Sequence, residues 1–357
     1  MHRILMSSLI YACSILPSAA EVGRWEVIPN TQLKQICPTN KFNDYPYDFS
    51  YHCGTVTGAW SGAALSQQRG TLYIWGGGHN DYYGNEIYGF NIRDKHLLRL
   101  TDPAYPANAT GAPKSELSPF DGTQPNGRHT YDGLNVLEKA DLLWAFSGSL
   151  ASGSGGADRE TWLMDLATHE WRRDAATGDI PRKTYGLVSA YDPINDRIYL
   201  HDTYSFYQYQ YTPKGGRYLR LSDSQIGLDL TAAFDPLRKR FLMLGKGKQF
   251  LISTADGSDF RRQKIPLPSD LKPLHETNAP GLVFDSKRKR FVAWAGGPML
   301  FIQDPQTMTW HSIVTVGAPN KATTNGTFGR FAYWRERDLF VLINNASDNI
   351  RVLKLAE

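Results

Sequence analysis

Residues 71–85 read TLYIWGGGHNDYYGN. An apolar, β-prone run, Thr71–Trp75, ends in Gly76, Gly77 and Gly78 and opens into a polar and aromatic cluster of His79, Asn80, Asp81, Tyr82, Tyr83 and Asn85. A short run rich in β-branched and aromatic residues predicts a strand. Three glycines at its end allow positive φ and close approach to neighbouring backbone. The cluster is therefore expected on a loop held by a rigid strand, where binding and catalytic groups concentrate.

The same pattern returns down the chain and decides the fold. The runs are LYIWGGG (72–78), LLWAFSG (142–148), RIYLHD (197–202), FLMLGKG (241–247), FVAWAGG (291–297) and FVLINN (340–345). Turns of the form Asp-x-x-x-x-Arg precede them, as at 192–197, 235–240 and 285–290. Another strand-like run lies before each turn: GLVSAY (186–191), LTAAF (230–234), GLVF (281–284) and GRFAYW (329–334). A third strand follows, and usually a fourth marked by an aromatic near its start, at Trp171, Tyr218, Phe260 and Trp310. Four strands in each repeat of about 40–50 residues is the signature of a β-propeller, whereas a large sandwich predicts no such spacing. The last repeat has only three runs, and RWEVIP at 24–29 supplies the fourth, its Trp25 matching the other aromatics. Pairing it there closes the ring and removes an exposed edge. The expected fold is all-β, six four-stranded blades closed by an N-terminal strand. A seventh blade in 30–60 or 101–126 stays open, although neither stretch contains four strand-like runs.

The glycine pairs and trailing tryptophans resemble kelch repeats over essentially the whole mature chain. In kelch propellers the loop after the second strand and the loop before the first open on one face, and the resemblance implies the same here. One set of loops then carries His79, Asp81, Tyr82, Asn85, His201, Asp202, Lys246, Asn344 and Asn345. The other carries Arg128, His129, Tyr131, Tyr185, Asp229, His275, Glu276, Asn278, Thr327 and Arg330.

At the N-terminus, Arg3, an apolar stretch over residues 4–17 and Ser18-Ala19-Ala20 before Glu21 read as a secretory signal peptide cleaved after Ala20. The stretch is too short to span a bilayer. The expected organisation is signal peptide 1–20, an N-terminal segment 21–56 and a propeller 57–357, in a periplasmic or secreted protein. Of 3 cysteines, cleavage removes Cys13. Cys37 and Cys53, left in an oxidising compartment, read as one disulfide, worth roughly 3 kcal/mol by loop closure. The net charge is +4. The basic clusters at 238–240 and 287–290 fall at turns, and read as solvated turn residues rather than a nucleic-acid site. Neither a nucleic acid nor a membrane is an expected partner, and a monomer is expected.

NGRHTYDG (126–133) and TNGTFGRFAY (324–333) are two copies of a glycine-arginine lead into an inner strand. They would bring Arg128 and Arg330 near the axis as bidentate ligands of carboxylate or sulfate. Equally open is that each arginine ties adjacent blades through backbone carbonyls. Together with His79, His129, Tyr185 and His201 on the same rim, an anionic-ligand site is expected. His79 with Asp81, His129, and His201 with Asp202 are chemically fit to hold zinc or manganese. They come from three blades without tight spacing, so no metal is assigned; no cofactor is required, and a divalent ion stays open. Galactose-oxidase chemistry needs a cysteine cross-linked to tyrosine, and is excluded because both mature cysteines lie in the N-terminal segment.

β-Elimination from a uronic-acid polysaccharide needs a group to neutralise the carboxylate, a base at C5 and an acid for the leaving oxygen. GGGHNDYYGN followed by GRHTYDG and Tyr185 resembles the active face of secreted propeller polysaccharide lyases, the ulvan lyases among them. The resemblance implies catalytic His79, His129 and Tyr185, and His201, which stands where an arginine would be expected, is read with them as catalytic. It further implies substrate-binding Arg128, Arg330, Asp81, Tyr82, Tyr83, Asn85, His275 and Asn278, and an acidic polysaccharide or oligosaccharide as partner. Those lyases have seven blades. Two other readings are a non-catalytic propeller that stacks sugars on Tyr82, Tyr83, Tyr204, Phe206 and Tyr207, and a sugar mutarotase or epimerase.

Overall fold

A computed structural model describes residues 23–44, 47–104, 124–151 and 156–355. The expected signal peptide lies outside them. Six sheets, each with four antiparallel strands, stand around one axis, and a short fifth strand, Thr177–Gly178, pairs in parallel with the outer strand of blade 3. Blade 1 is Gly62–Ser66, Thr71–Trp75, Tyr88–Asn91 and His96–Arg99. Blade 2 is Leu134–Leu137, Leu142–Phe146, Thr161–Asp165 and Trp171–Arg173. Blade 3 is Val188–Asp192, Arg197–His201, Ser205–Gln210 and Arg217–Asp223. Blade 4 is Thr231–Asp235, Arg240–Gly245, Lys248–Ser253 and Arg262–Lys264. Blade 5 is Gly281–Asp285, Arg290–Trp294, Met299–Gln303 and Trp310–Val314. Blade 6 is Phe331–Trp334, Leu339–Leu342, Arg351–Leu355 and, from the other end of the chain, Gly23–Val27. The first strand of each blade lines the axis and touches the first strands of its neighbours.

The core is not one mass but a layer between each pair of blades. Second strands alternate apolar residues that face opposite neighbours. Leu143 and Ala145 pack against Tyr73 and Trp75 of blade 1, while Leu142, Trp144 and Phe146 pack against Ile198 and Leu200 of blade 3. Period-2 alternation in a sheet buried on both faces produces this two-way packing. It also explains why these runs read as continuously apolar. Burying one such side chain contributes roughly 1.5–3 kcal/mol.

The Asp-x-x-x-x-Arg turns close on their own aspartates. Asp235 Oδ1 accepts from the backbone of Leu237 and Arg238 at 2.9 and 3.1 Å, and Asp192 does the same for Ile194 and Asn195 at 3.0 and 3.3 Å. The basic turn residues serve the fold. Arg288 makes a bidentate contact with Asp338 at 2.7 and 3.0 Å and reaches Asp285 at 3.2 Å, joining blades 5 and 6.

The closing strand pairs antiparallel with Arg351–Leu355, setting Trp25 opposite Leu353. Trp25 is buried, and its indole N–H donates to Thr315 Oγ1 of blade 5 at 3.0 Å. Short helical turns follow at Leu33–Ile36, Phe42–Asp44, Phe49–His52 and Thr55–Gly58; Leu33, Phe49 and Val56 pack over the layer between blades 6 and 1. A disulfide joins Cys37 to Cys53, with Cα atoms 6.1 Å apart. Among the described residues no helix is long and apolar enough to cross a membrane.

Candidate functional site on the propeller axis

The face on which the chain runs into each inner strand has a pocket of about 220 Å³ at its centre. All six blades contribute the residues just before their inner strands. Trp60 comes from blade 1, Tyr131 from blade 2, Tyr185 and Gly186 from blade 3, Leu228 and Asp229 from blade 4, Asn278 and Ala279 from blade 5, and Asn325 and Phe328 from blade 6. Backbone hydrogen bonds link these lead-ins in sequence. Tyr131 N donates to Trp60 O at 2.7 Å, Ala279 N to Asp229 O at 2.8 Å, and Thr327 N to Ala279 O at 2.8 Å. Trp60, Tyr131, Asp229, Ala279 and Phe328 all take left-handed backbone, with φ of 47°, 48°, 69°, 35° and 48°. Each such non-glycine residue costs on the order of 1 kcal/mol or more, and these conformations gather at functional sites.

Beside the pocket lies an acid–base pair. His129 Nε2 is 2.7 Å from Asp81 Oδ2, with the imidazole 5% exposed and the carboxylate 38% exposed. A carboxylate only accepts, so the hydrogen of this bond sits on Nε2 and leaves Nδ1 as the basic nitrogen of the neutral ring. Burial pushes the His129 pKa below its ordinary value, and Asp81 opposes that shift without overcoming it. The ring packs against Trp60 at 5.1 Å, Tyr131 at 6.0 Å and His79 at 6.1 Å between centroids. Tyr131 is held protonated, its pKa raised first by burial and then by nearby Tyr185, Asp229 and Asp81.

Glycine at 78 makes this meeting possible. Gly78 has φ +85°, and a Cβ there would lie 2.3 Å from His129 N. The bare backbone packs against the Arg128–His129 strand, while His79 N donates to Leu150 O at 3.0 Å. The triple-glycine reading thus has its physical counterpart in bringing His79 and Asp81 next to His129.

Other residues predicted for the site go elsewhere. Arg330 is wholly buried, its guanidinium donating to Ser61 O and Ile343 O at 2.9 Å each and to the carbonyls of Asn344 and Gly326. With no carboxylate beside it, burial lowers its pKa to about 9. Arg128 is also buried, bonded to Ser147 O at 2.9 Å and Asn126 O at 3.2 Å and paired with Asp158. Neither arginine presents its charge to a ligand. Of the two roles open to them, the structure shows the one that ties backbone carbonyls. His201 is buried inside blade 3, with Nε2 at 3.1 Å from Ser224 Oγ and its pKa pushed down to about 4. It lines no part of the axial pocket, so its placement on the rim is corrected.

Tyr82 is buried, its hydroxyl donating to Glu86 at 2.6 Å, and Asn85 is buried with its amide on Pro125 O at 2.9 Å. Tyr83 stacks on Tyr47 at 5.2 Å, away from the axis. His275 reaches Pro268 O at 3.0 Å on the short helix Lys272–Glu276 rather than the pocket. Phe206 and Tyr207 are buried and Tyr83 is half-buried, so of the proposed stacking aromatics Tyr204 is the most open, at 50% exposure. Tyr185, 47% exposed, and Asn278 do line the pocket. Trp60, Asn325 and Phe328 escaped sequence reading, although the rule that lead-ins share one face would have found them once blade 1 was known to start at Gly62. Among the described residues no three His, Cys, Asp or Glu side chains come together as a metal site.

No family model matches the chain, and no curated protein matches it. The fold is similar to that of a structural-genomics protein of unknown function from Bacteroides thetaiotaomicron, at 10% identity and a TM-score of 0.54, covering 94% of this chain and 76% of that one. It is also similar to a gluconolactonase from Xanthomonas campestris, at 14% identity and a TM-score of 0.50, covering 85% of this chain and 88% of that one. At such identities the likeness is one of fold, and function has to be argued from the site.

Proposed function

We propose that this propeller is an exported carbohydrate-active enzyme that cleaves a uronate-containing polysaccharide by β-elimination at the axial pocket. The observation that carries the reading is the Asp81–His129 pair packed against Tyr131, which lines the axial pocket together with Tyr185. Neutral His129, oriented by Asp81, is the general base for the proton at C5. As that proton leaves, the bond from C4 to the glycosidic oxygen breaks, a C4–C5 double bond forms, and Tyr185 donates a proton to the departing oxygen. Tyr131 stays protonated and donates a hydrogen bond to the bound sugar. With Arg128 and Arg330 committed to carbonyls, a half-exposed cation at the pocket wall is Lys246, which contacts the pocket residue Asp229 at 3.4 Å. It takes the role of neutralising the substrate carboxylate. Hydrolysis would want two free carboxyl groups flanking the bond; here Asp81 faces His129 and Asp229 faces Lys246.

A second reading is favoured by the size of the pocket. At about 220 Å³ it falls below the roughly 300 Å³ at which drug-sized ligand sites begin. One sugar ring therefore enters, and a chain would continue over the open face. A mutarotase or epimerase acting on a single sugar needs the same base and acid.

The test is incubation with a panel of polyuronates while following the ultraviolet absorbance of an unsaturated uronate. Wild-type protein should give signal, and Tyr185→Phe, which removes one hydroxyl, should lose turnover and keep polymer binding. No signal on any polyuronate, combined with isomerisation of a free sugar, would establish the second reading instead. Full activity in Tyr185→Phe would remove the tyrosine from the mechanism.

A further inference from the structure

A second, larger cavity of about 510 Å³ lies where the connection from blade 2 crosses to blade 3. Its wall holds four cations, Arg159, Arg182, Lys183 and Arg220, with Asp179 and Tyr207. Two of the cations are fixed in place. Arg159 is anchored by the carbonyls of Ile180 and Pro181, the latter at 2.9 Å, and Arg220 is held by Asp223 with Nε at 2.7 Å. The Arg182 guanidinium lies over the exposed ring of Tyr204, 5.2 Å from its centroid, and its backbone N–H donates to Asp202 at 3.0 Å. Among the described residues, Arg159, Arg182 and Lys183 have no carboxylate within ion-pair distance, whereas Arg220 does. The cavity is therefore positively charged in excess, on a chain whose other basic clusters are largely paired within the fold.

Its position matters as much as its charge. Residues 182–186 are one continuous segment that lines this cavity at Arg182 and Lys183 and the axial pocket at Tyr185 and Gly186. A Cβ on Gly186 would meet Leu228 and Thr203, so the axial wall, this segment and the loop bearing Tyr204 are in contact. Arg182 thus joins the cationic cavity to the exposed ring of Tyr204, while Tyr185, three residues on, lines the axial pocket.

We propose that this cavity is an outlying anion subsite, which holds the carboxylate or sulfate of an acidic sugar whose chain neighbour occupies the axial pocket. Tyr204 serves as the ring platform between them. Guanidinium groups suit this task because they pair with planar carboxylates and with sulfates through several N–H donors at once. An exposed aromatic under a guanidinium offers the apolar face that sugar C–H groups pack against. The inference rests on the glycan reading above, but concerns binding rather than the bond broken.

The experiment titrates polygalacturonate, heparin and neutral dextran against wild-type protein, Tyr185→Phe, and the pair Arg182→Ala/Lys183→Ala, at low and high salt. A single-stranded DNA oligonucleotide serves as a non-sugar polyanion. Wild type should bind at least one of the two acidic polymers, ignore dextran, and weaken with salt. Arg182→Ala/Lys183→Ala should bind that polymer at least tenfold more weakly with an unchanged melting temperature. Tyr204→Ala, melted alongside, should weaken the sugar polymer and leave DNA unaffected. Unchanged affinity in the double variant overturns the subsite, even if wild type cleaves the polymer and the catalytic reading stands. Loss of affinity in the double variant without any cleavage by wild type keeps the subsite and removes the lyase. Equal binding of DNA, or no binding of either acidic polymer, overturns the subsite.

Discussion

His129 Nε2 and Asp81 Oδ2 stand 2.7 Å apart, although 48 residues separate them and they belong to different blades. The carboxylate supports the charged form of the imidazole and burial disfavours it, with burial the stronger. Removing Asp81 therefore has a defined sign. In Asp81→Asn the opposing influence is gone and the His129 pKa falls further. A base is active when deprotonated, so the acidic limb of the kcat/KM profile should move to lower pH. The plateau should fall by about 10²-fold or more as the ring loses its orientation. His129→Ala should be lower still, whereas His311→Ala, on an outer strand, should match wild type. A limb that moves upward in Asp81→Asn would show that His129 is not the titrating base.

Arg330 is expected to act on stability and not on ligand affinity. Arg330→Met leaves four carbonyls at the meeting of blades 6 and 1 without their donor. The loss should be about 3–5 kcal/mol, read as a shift in the denaturant midpoint. Normal stability with weakened binding of an acidic polymer would return Arg330 to the ligand site.

Asp132 supplies a pH dependence. It sits between the inner strands of blades 2, 3 and 4, accepting from Ala232 N at 2.7 Å and from Thr231 Oγ1 at 3.2 Å, and burial raises its pKa to about 7. In the unfolded chain the same carboxyl titrates near the ordinary value of 3.8. Between those values the folded state binds the extra proton, so stability declines as pH rises from about 4 to about 7 and then levels off. Asp132→Asn keeps an acceptor for Ala232 and cannot ionise. It should exceed wild type by roughly 1–3 kcal/mol at pH 8 and lose that advantage at pH 4. Equal melting temperatures of the two proteins at pH 8 would show that the carboxylate is stabilised in its charged form after all.

Ring closure can be tested at Trp25. A chain beginning at residue 28 should lose the partner of Arg351–Leu355 and aggregate or melt early, compared with one beginning at residue 21. Trp25→Ala should cost about 3–5 kcal/mol by itself, through the cavity and the lost bond to Thr315. A truncated chain with an unchanged melting temperature would mean that the ring closes without this strand.

What the sequence determined by itself is the propeller. Apolar runs of five or six residues, punctuated by aspartate turns that close on their own carboxylates, are local signals that repeat. The blade number and the closing strand follow by counting, since three strands at one end and a spare tryptophan at the other complete one sheet. The cysteine pair was legible once Cys13 was assigned to the expected signal peptide, which left Cys37 and Cys53. Tertiary structure decided which of the conspicuous polar residues face outward. Arg128, Arg330, His201, Tyr82 and Asn85 have the chemistry of a site, but blade packing buries each against carbonyls, a hydroxyl or a carboxyl group, and a residue type alone does not reveal its partner. Conversely Trp60, Asn325 and Phe328 reach the axis because the ring brings six lead-ins together, several of them in left-handed backbone that no pattern of residue types announces. Tyr131 of blade 2 meets Phe328 of blade 6 at 6.1 Å between ring centroids, and only the closed ring sets that distance.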